Sequence, residues 1–248
     1  MILGNPIAIG NTAKIYLFEN KIVKMFNDYL PDTESLYEAN KQKYAYSCGL
    51  SVPEVLDVTM INGKQALIME YIKGRTLGDI ILENNELAEH YMSISVEIQQ
   101  KIHKVIPDSL ELMREKLHRQ IEFVPILDKR HKSVLLQKLD SIIFENRLCH
   151  GDYHLFNLIK SEEKVTIIDW VDSSAGDIRA DVYRTYLLYS QFFPEFAEMY
   201  IRIYCEKSGM SKEEILQWAP IIAAARLSEN VSSEKSDRLM DIINYYCP

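Results

Sequence analysis

Four polar side chains in the second half of the chain could together handle a metal ion and a proton. His150, Asp152 and Asn157 lie in a short polar segment between two apolar stretches, and Asp169 ends the next apolar run. The chain between Asn157 and Asp169 has the pattern of a strand, a polar turn at 162–164 and a second strand, which predicts a hairpin that brings these two residues side by side. A carboxamide and a carboxylate that meet in this way offer the hard oxygen ligands that Mg²⁺ prefers.

Asp152 precedes Asn157 by five residues and is placed to accept a proton from a hydroxyl group. A loop Asp, an Asn on one metal ion and a later Asp on the metal ions divide the work in this way in kinase-type phosphoryl transfer. The alternative is a polar turn between two strands, in which Asp and Asn serve only as turn-forming residues.

The motif His150-Gly151-Asp152 with Asn157, followed by Ile168-Asp169-Trp170, resembles the aminoglycoside phosphotransferase and choline kinase-like family. His154 also matches the loop of that family. The resemblance implies a bilobal protein kinase-like fold, with ATP, or GTP as the alternative, and Mg²⁺ as cofactors. It implies that Asp152 is catalytic and that Asn157 and Asp169 bind the metal, whereas His150 and His154 support the loop.

Length and composition are those of a globular protein without a membrane span. The 248 residues are 47% hydrophobic and 26% charged, enough for one domain or two modest lobes. No apolar run reaches the ~20 residues of a membrane-spanning helix, and the N-terminus lacks a secretory pattern. The four cysteines are scattered, which favours free thiols over a zinc site. We therefore expect a cytoplasmic protein that does not bind membranes.

The net charge of −8 argues against nucleic-acid binding, which needs a basic surface. Residues 1–72 carry six lysines and eight acidic side chains, so most of the negative charge lies in the remainder of the chain. This distribution is compatible with a cationic small-molecule acceptor.

Residues 7–26 predict antiparallel strands, with a turn at Gly10 whose backbone N–H groups could lie over phosphates. An ordinary hairpin turn explains Gly10 equally well. Lys24 interrupts an apolar strand and, if the strand alternates, shares a face with Ile22 and Phe26, which points its ammonium group to a semi-buried site. The alternative is a lysine on the solvent face. The family resemblance implies that Lys24 binds the α- and β-phosphates of the nucleotide.

Residues 32–47 predict a helix that ends before Gly49. In the resembling family a helix glutamate orients the strand lysine through an ion pair, and the spacing to Gly49 assigns that role to Glu38. Glu34 is the competing candidate.

Asn62-Gly63 between apolar runs predicts a second hairpin, whose apolar strand 66–69 is buried. The following residues, 70–74, are interpreted as a hinge between lobes. There the resemblance implies that the backbone of Glu70 to Ile72 meets the adenine edge and that Met69 lines the pocket; Met69 could equally be a core residue.

After Gly74 the pattern becomes helical, with breaks at Pro107 and Pro125. His103 and the other histidines of this stretch are interpreted as surface or core residues. The segment Gly176–Asp181 is similar to a family motif in which the final Asp stabilises the catalytic loop, and this assigns a supporting role to Asp181.

Together these observations predict an α+β, bilobal protein kinase-like fold, with an N-terminal antiparallel sheet and one helix, and a mainly helical C-terminal lobe. We expect a nucleotide-binding lobe at 1–70, a catalytic and substrate-binding lobe at 71–248 and a hinge at about 70–74. The expected function is transfer of the ATP γ-phosphoryl group to a small-molecule hydroxyl of an aminoglycoside-like compound, an amino alcohol or a sugar.

The alternatives are a protein kinase-like enzyme and a catalytically inactive nucleotide-binding module. Asp169-Trp170-Val171 in place of Asp-Phe-Gly speaks against the first, and the presence of every expected polar residue speaks against the second. The acceptor, the choice between ATP and GTP, and the oligomeric state stay open.

Overall fold

The fold is built from short strands in two segments of the chain and from helices that dominate its second half. The structure is a computed structural model that describes residues 3–162, 164–231 and 233–247. The elements in the described residues are, in chain order, β1 (Ala8–Ile9), β2 (Ala13–Phe18), β3 (Lys21–Phe26), α1 (Glu34–Ser47), β4 (Val55–Ile61), β5 (Lys64–Glu70), β6 (Arg75–Thr76), α2 (Leu77–Glu83), α3 (Ala88–Ile102), α4 (Met113–Phe123), α5 (Lys129–Ser141), β7 (Arg147–Cys149), β8 (Leu158–Lys160), β9 (Val165–Ile167), β10 (Ser174–Gly176), α6 (Ile178–Phe192), α7 (Pro194–Ser208), α8 (Lys212–Leu216), α9 (Ala219–Ser228) and α10 (Ser236–Tyr246).

An antiparallel sheet of five strands, in the order β1-β2-β3-β5-β4, occupies the N-terminal part. Its hairpins follow from the turn residues, because two-residue turns of this kind require a left-handed backbone. Asn62 (φ 52°) and Gly63 (φ 79°) join β4 to β5, and Glu19 and Asn20 have the same hand between β2 and β3. The predicted sheet and both hairpins are confirmed.

Helix α1 packs against β4 and β5 and covers one face of this sheet. Ala39 of α1 joins a buried cluster with Phe26, Leu67 and Met69, and Ile22 packs against that cluster. Val23 lies in a separate buried cluster. Strand β3 therefore alternates as the sequence predicts.

Contacts divide the chain into two compact units. The first unit runs to Asn85 and also contains Leu155–Asp172, and the second comprises Glu86–His154 and the chain from Ser173 onward. The predicted lobe boundary at 70–74 stays a prediction. Within the first unit, β6, α2 and the β8–β9 hairpin belong together, because a three-stranded sheet has the order β6-β8-β9.

The predicted hairpin after Asn157 is present, with Leu158 paired to Ile167 and Lys160 to Val165. Glu163, part of the predicted turn, lies outside the described residues. Gly74 is required where β6 begins, because a side chain there would overlap the carbonyl of Lys160.

The second unit is mainly helical, as predicted. Pro107 lies between α3 and α4, and Pro125 between α4 and α5, at the expected breaks. Its core includes the fully buried rings of Trp218 and Tyr200. None of the helices in the described part of the chain is long and apolar enough to cross a membrane.

Candidate active site

Lys24 forms a buried group with two carboxylates in the first unit. Its Nζ lies 2.6 Å from Oε1 of Glu38 and 3.2 Å from Oδ1 of Asp169. The lysine and Glu38 side chains are 10% and 2% exposed, whereas Asp169 is 38% exposed. The group therefore opens to solvent on the Asp169 side.

The surroundings of Lys24 keep it cationic. Burial alone would lower the pKa of Lys24, but the carboxylates of Asp169 and Glu38 outweigh burial and raise the pKa well above its ordinary value. A permanent positive charge at this position suits the binding of phosphate groups.

Glu38, on the buried face of α1, is the glutamate that pairs with Lys24. Burial raises the pKa of Glu38 to about 6, against the lowering effect of the Lys24 charge. Glu34, the alternative that the sequence left open, lies in the first turn of α1 and is only partly buried.

Asn157 directly precedes β8, and Asp169 follows the end of β9, so the β8–β9 hairpin positions both residues. Asn157 closes a 3₁₀ turn before β8 and is buried, and its carbonyl accepts a hydrogen bond from Ile168 N at 3.0 Å. Asp169, two residues after β9, has a left-handed backbone (φ 64°), which is uncommon outside glycine. Fully buried Trp170 anchors the next position through Nε1 to the Ile167 carbonyl at 3.2 Å.

The residues predicted to contact the nucleotide through the backbone or the adenine ring also lie in the first unit. Gly10 N donates to Ala13 O at 2.9 Å within the β1–β2 turn. Met69 is buried in the sheet core, and Glu70 N donates to Glu54 O at 2.9 Å. Ile72 is buried just beyond β5. Their proposed contacts with the nucleotide stay predictions.

Asp152 lies in a loop of the second unit that follows β7. His150 is fully buried, its Nδ1 accepts the Asp152 N–H at 3.3 Å, and its ring packs edge-on against Tyr153. His154 Nε2 lies 3.6 Å from Oδ2 of Asp152. Both histidines thus contact Asp152, and their supporting role stays a prediction.

Asp152 is ionised at neutral pH. Burial alone would raise the pKa of Asp152, but the hydrogen bond with His154 and the charges of His154, Arg184 and His150 hold it well below its usual range. A carboxylate of this kind accepts a hydrogen bond from a hydroxyl and is a weak base.

Asp181 fixes this loop from helix α6. Its Oδ1 accepts the N–H of Gly151 at 2.7 Å, and its Oδ2 contacts Gln99 Nε2 at 3.1 Å and His103 Nε2 at 2.9 Å. Gly151 has φ 83°, a conformation that glycine tolerates and that turns the chain towards Asp152. Despite burial, the hydrogen bond and charge of His103 and the Gly151 N–H lower the pKa of Asp181.

Gln99, His103 and Arg184 were not predicted as functional residues. The one available signal was the position of His103 shortly before the predicted helix break at Pro107; in the structure His103 is the C-terminal cap of α3. At the start of α6, Asp177 caps the helix by accepting the Arg179 N–H at 2.8 Å.

A model of the phosphotransferase enzyme family matches residues 4–216. This span contains every predicted site residue from Gly10 to Asp181. Among curated proteins, the protein LicA homolog of Metamycoplasma hominis is 27% identical over 128 residues. That match covers 49% of this chain and 50% of the relative, so the chain spans about half the length of the curated relative it matches.

Solved structures share the fold over nearly the whole chain. A thermostable mutant of aminoglycoside phosphotransferase APH(4)-Ia has a TM-score of 0.70 at 13% identity and covers 98% of this chain and 90% of its own. A choline/ethanolamine kinase family protein from Mesorhizobium loti (TM-score 0.64, 14% identity, 98% and 86% coverage) and the amicoumacin kinase hAmiN (0.60, 16%, 98% and 86%) are also similar. At these identities the likeness shows the fold, and it confirms the predicted kinase-like class.

Proposed function

The chain belongs to the phosphotransferase enzyme family, and we propose that it is a small-molecule kinase that transfers the γ-phosphoryl group of ATP to a hydroxyl group. The observation that carries this proposal is the buried Lys24, which two carboxylates hold in place. A buried ammonium group is costly, and an ion pair with Glu38 does not by itself explain the second contact, with the half-exposed Asp169. Phosphate binding gives both contacts a use.

In the proposed mechanism Lys24 binds the α- and β-phosphates and Glu38 sets its direction. Met69 and Ile72 line the adenine site together with the backbone at Glu70. The N–H of Gly10 donates to the Ala13 carbonyl and is therefore not the group that binds phosphate. The proposed role of Gly10 is to shape the turn that lies over the phosphates. These residues position the nucleotide, which supplies much of the catalysis in phosphoryl transfer.

The donor set at Asn157 and Asp169 fits Mg²⁺. Both residues offer hard oxygen ligands, and the Asp169 side chain is 38% exposed. When bound, the ion neutralises charge on the phosphates during transfer.

Asp152 would accept the hydrogen bond of the acceptor hydroxyl and so orient its oxygen towards the γ-phosphorus. The new oxygen–phosphorus bond forms as the bond to ADP breaks, and the hydroxyl proton passes to Asp152. The low pKa of Asp152 favours orientation first and proton transfer late, as a loose transition state requires.

A cationic acceptor would be bound by carboxylates. Four carboxylates in the second half of the chain are candidates for this role: Asp172, Glu213, Glu214 and Glu229. Glu229 is paired with Arg184 at 2.7 Å and Arg226 at 2.5 Å, and Glu214 completes the capping box of α8. Glu213, which is exposed, therefore becomes the better candidate. Hygromycin B in an APH(4)-Ia complex and the amicoumacin kinase and choline/ethanolamine kinase neighbours suggest an initial acceptor panel.

The test is Mg²⁺·ATP-dependent phosphate transfer across aminoglycosides, amino alcohols and sugars. We expect one acceptor class to yield a phosphorylated product, and Asp152→Asn to lower kcat by about 10²-fold or more, because hydroxyl orientation and proton acceptance are lost together. Asp241→Asn, an exposed change in the same unit, is the matched control and should leave kcat unchanged. Equal rates for Asp152→Asn and wild type would remove Asp152 from the mechanism. A lack of turnover with no binding of Mg²⁺·ATP would refute the kinase assignment.

A further inference from the structure

Helix α1 carries a second buried charge, Lys41, one turn after Glu38. Lys41 is 4% exposed, and its Nζ donates a hydrogen bond to the carbonyl oxygen of Val171 at 2.7 Å. The ammonium group also lies over the Tyr37 ring, 4.2 Å from the ring centroid. A buried ammonium group is costly, and these contacts stabilise Lys41 at this position.

Val171 lies two residues after Asp169, so Lys41 holds the chain just beyond the proposed metal ligand. On the other side of Asp169, Ile168 N bonds to the Asn157 carbonyl at 3.0 Å. Asp169 itself has the left-handed backbone (φ 64°), which is uncommon for a residue other than glycine. The segment is thus fixed on both sides of Asp169.

We propose that Lys41 is a positioning residue for Asp169, and that helix α1 sets both partners of the Lys24–Asp169 pair. Glu38 fixes Lys24 directly, and Lys41 fixes Asp169 through the Val171 carbonyl. The inference rests on the proposed metal-binding role of Asp169. It assigns to the charge of Lys41 a role in metal affinity, distinct from phosphate binding.

The experiment compares ADP binding by calorimetry with Mg²⁺ and with EDTA. The gain in ADP affinity on adding Mg²⁺ is the readout. We expect Lys41→Met to reduce this gain about tenfold, the effect of losing one hydrogen bond from a charged donor, while ADP affinity in EDTA stays unchanged. Lys43→Met, an exposed change on the same helix, is the matched control and should keep the full gain.

Asp169→Asn separates this inference from the proposed function. If Asp169→Asn retains the Mg²⁺-dependent gain, the metal role of Asp169 is wrong. If Asp169→Asn loses the gain but Lys41→Met keeps it, Lys41 has no positioning role. Thermal melting checks that each variant folds. If Lys41→Met does not fold, Lys41→Arg and Lys41→Gln replace it. Arginine keeps the positive charge and can still donate to the Val171 carbonyl. The inference requires that Lys41→Arg retain more of the Mg²⁺-dependent gain in ADP affinity than Lys41→Gln.

Discussion

Lys24 and Glu38 form an ion pair inside the first unit, where the low dielectric strengthens attraction and raises the cost of either charge alone. Asp169 adds a second, half-exposed carboxylate next to the same ammonium group. Together the ammonium group and the two carboxylates carry one net negative charge. The group becomes neutral only when a further cation binds or one carboxyl is protonated. Glu38 is the member whose charge changes near neutral pH.

The pKa of Glu38, raised to about 6 by burial, predicts an acid limb in the pH profile. The ionised form holds Lys24, so kcat/KM for Mg²⁺·ATP should be constant above this pH and fall about tenfold per pH unit below it. Glu38→Gln should remove the limb and lower kcat/KM by about 10- to 100-fold, since one charge-assisted hydrogen bond is lost. Steady-state kinetics between pH 5 and 8 measure both effects.

Stability provides the control for this profile. A carboxyl whose pKa is higher in the folded than in the unfolded chain binds more protons when folded, so its own contribution to stability rises as pH falls from about 6 to about 4. Activity and stability therefore change in opposite directions at Glu38. Glu34→Gln, on the same helix, should retain the limb; an unchanged limb in Glu38→Gln would assign it to another group.

At the scale of elements, the loop after β7 takes its shape from two helices. Helix α6 supplies Asp181, and helix α3 and its C-terminal cap supply Gln99 and His103, which fix the Asp181 carboxylate. All three side chains are buried. The position of Asp152 consequently depends on contacts between residues far apart in the chain.

Asp181→Asn tests this dependence. The amide cannot accept all three hydrogen bonds as the carboxylate does, so we expect a loss of about 1–3 kcal/mol in the free energy of unfolding and a decrease in kcat without a change in KM for ATP. The loss in stability applies at neutral pH: because the pKa of Asp181 is lowered, its contribution is present above the unfolded-state value and disappears as pH falls through the folded-state value.

Urea unfolding and steady-state kinetics measure these effects, with exposed Asp237→Asn in α10 as the control. An increase in KM for ATP at constant kcat would contradict the assignment of Asp181 to the catalytic loop.

At the scale of the molecule, the two units divide the proposed chemistry. Lys24, Glu38, Asn157 and Asp169 belong to the first unit, and Asp152 and its supporting residues belong to the second. The fold recurs in solved structures at 13–16% identity. At that distance the fold persists although most individual residues differ.

Nucleotide binding should stabilise the chain measurably. At ~100 times its Kd a ligand adds about 2.7 kcal/mol, which raises the Tm of a chain of this size by about 5–10 °C. We expect Mg²⁺·ADP to produce such a shift in the wild type and Lys24→Met to show little of it, because the phosphates lose their cationic partner. Differential scanning fluorimetry checks this, with Lys21→Met, an exposed change in the same strand, as the control. An equal shift in Lys24→Met would exclude the lysine from phosphate binding.

The sequence by itself determined the hairpins, the residues that share a strand face with Lys24, and the spacing of Asp152, Asn157 and Asp169. These features depend on neighbours within a few residues: Asn62-Gly63 favours a left-handed turn, and alternation decides which face Lys24 shares. The boundary of the first unit could not be predicted in this way, because the pairing of β6 with β8 joins segments more than 80 residues apart.

Only the tertiary structure decided which residues hold the site in place. In the folded chain Glu38, not Glu34, pairs with Lys24, and Lys41 donates a hydrogen bond to the Val171 carbonyl. Gln99 and His103 contact the Asp181 carboxylate. Glu229 pairs with two arginines. A helix glutamate, lysine or histidine has the same local pattern whether it is solvated or buried, because its role is set by the distant backbone and side chains that folding brings to it.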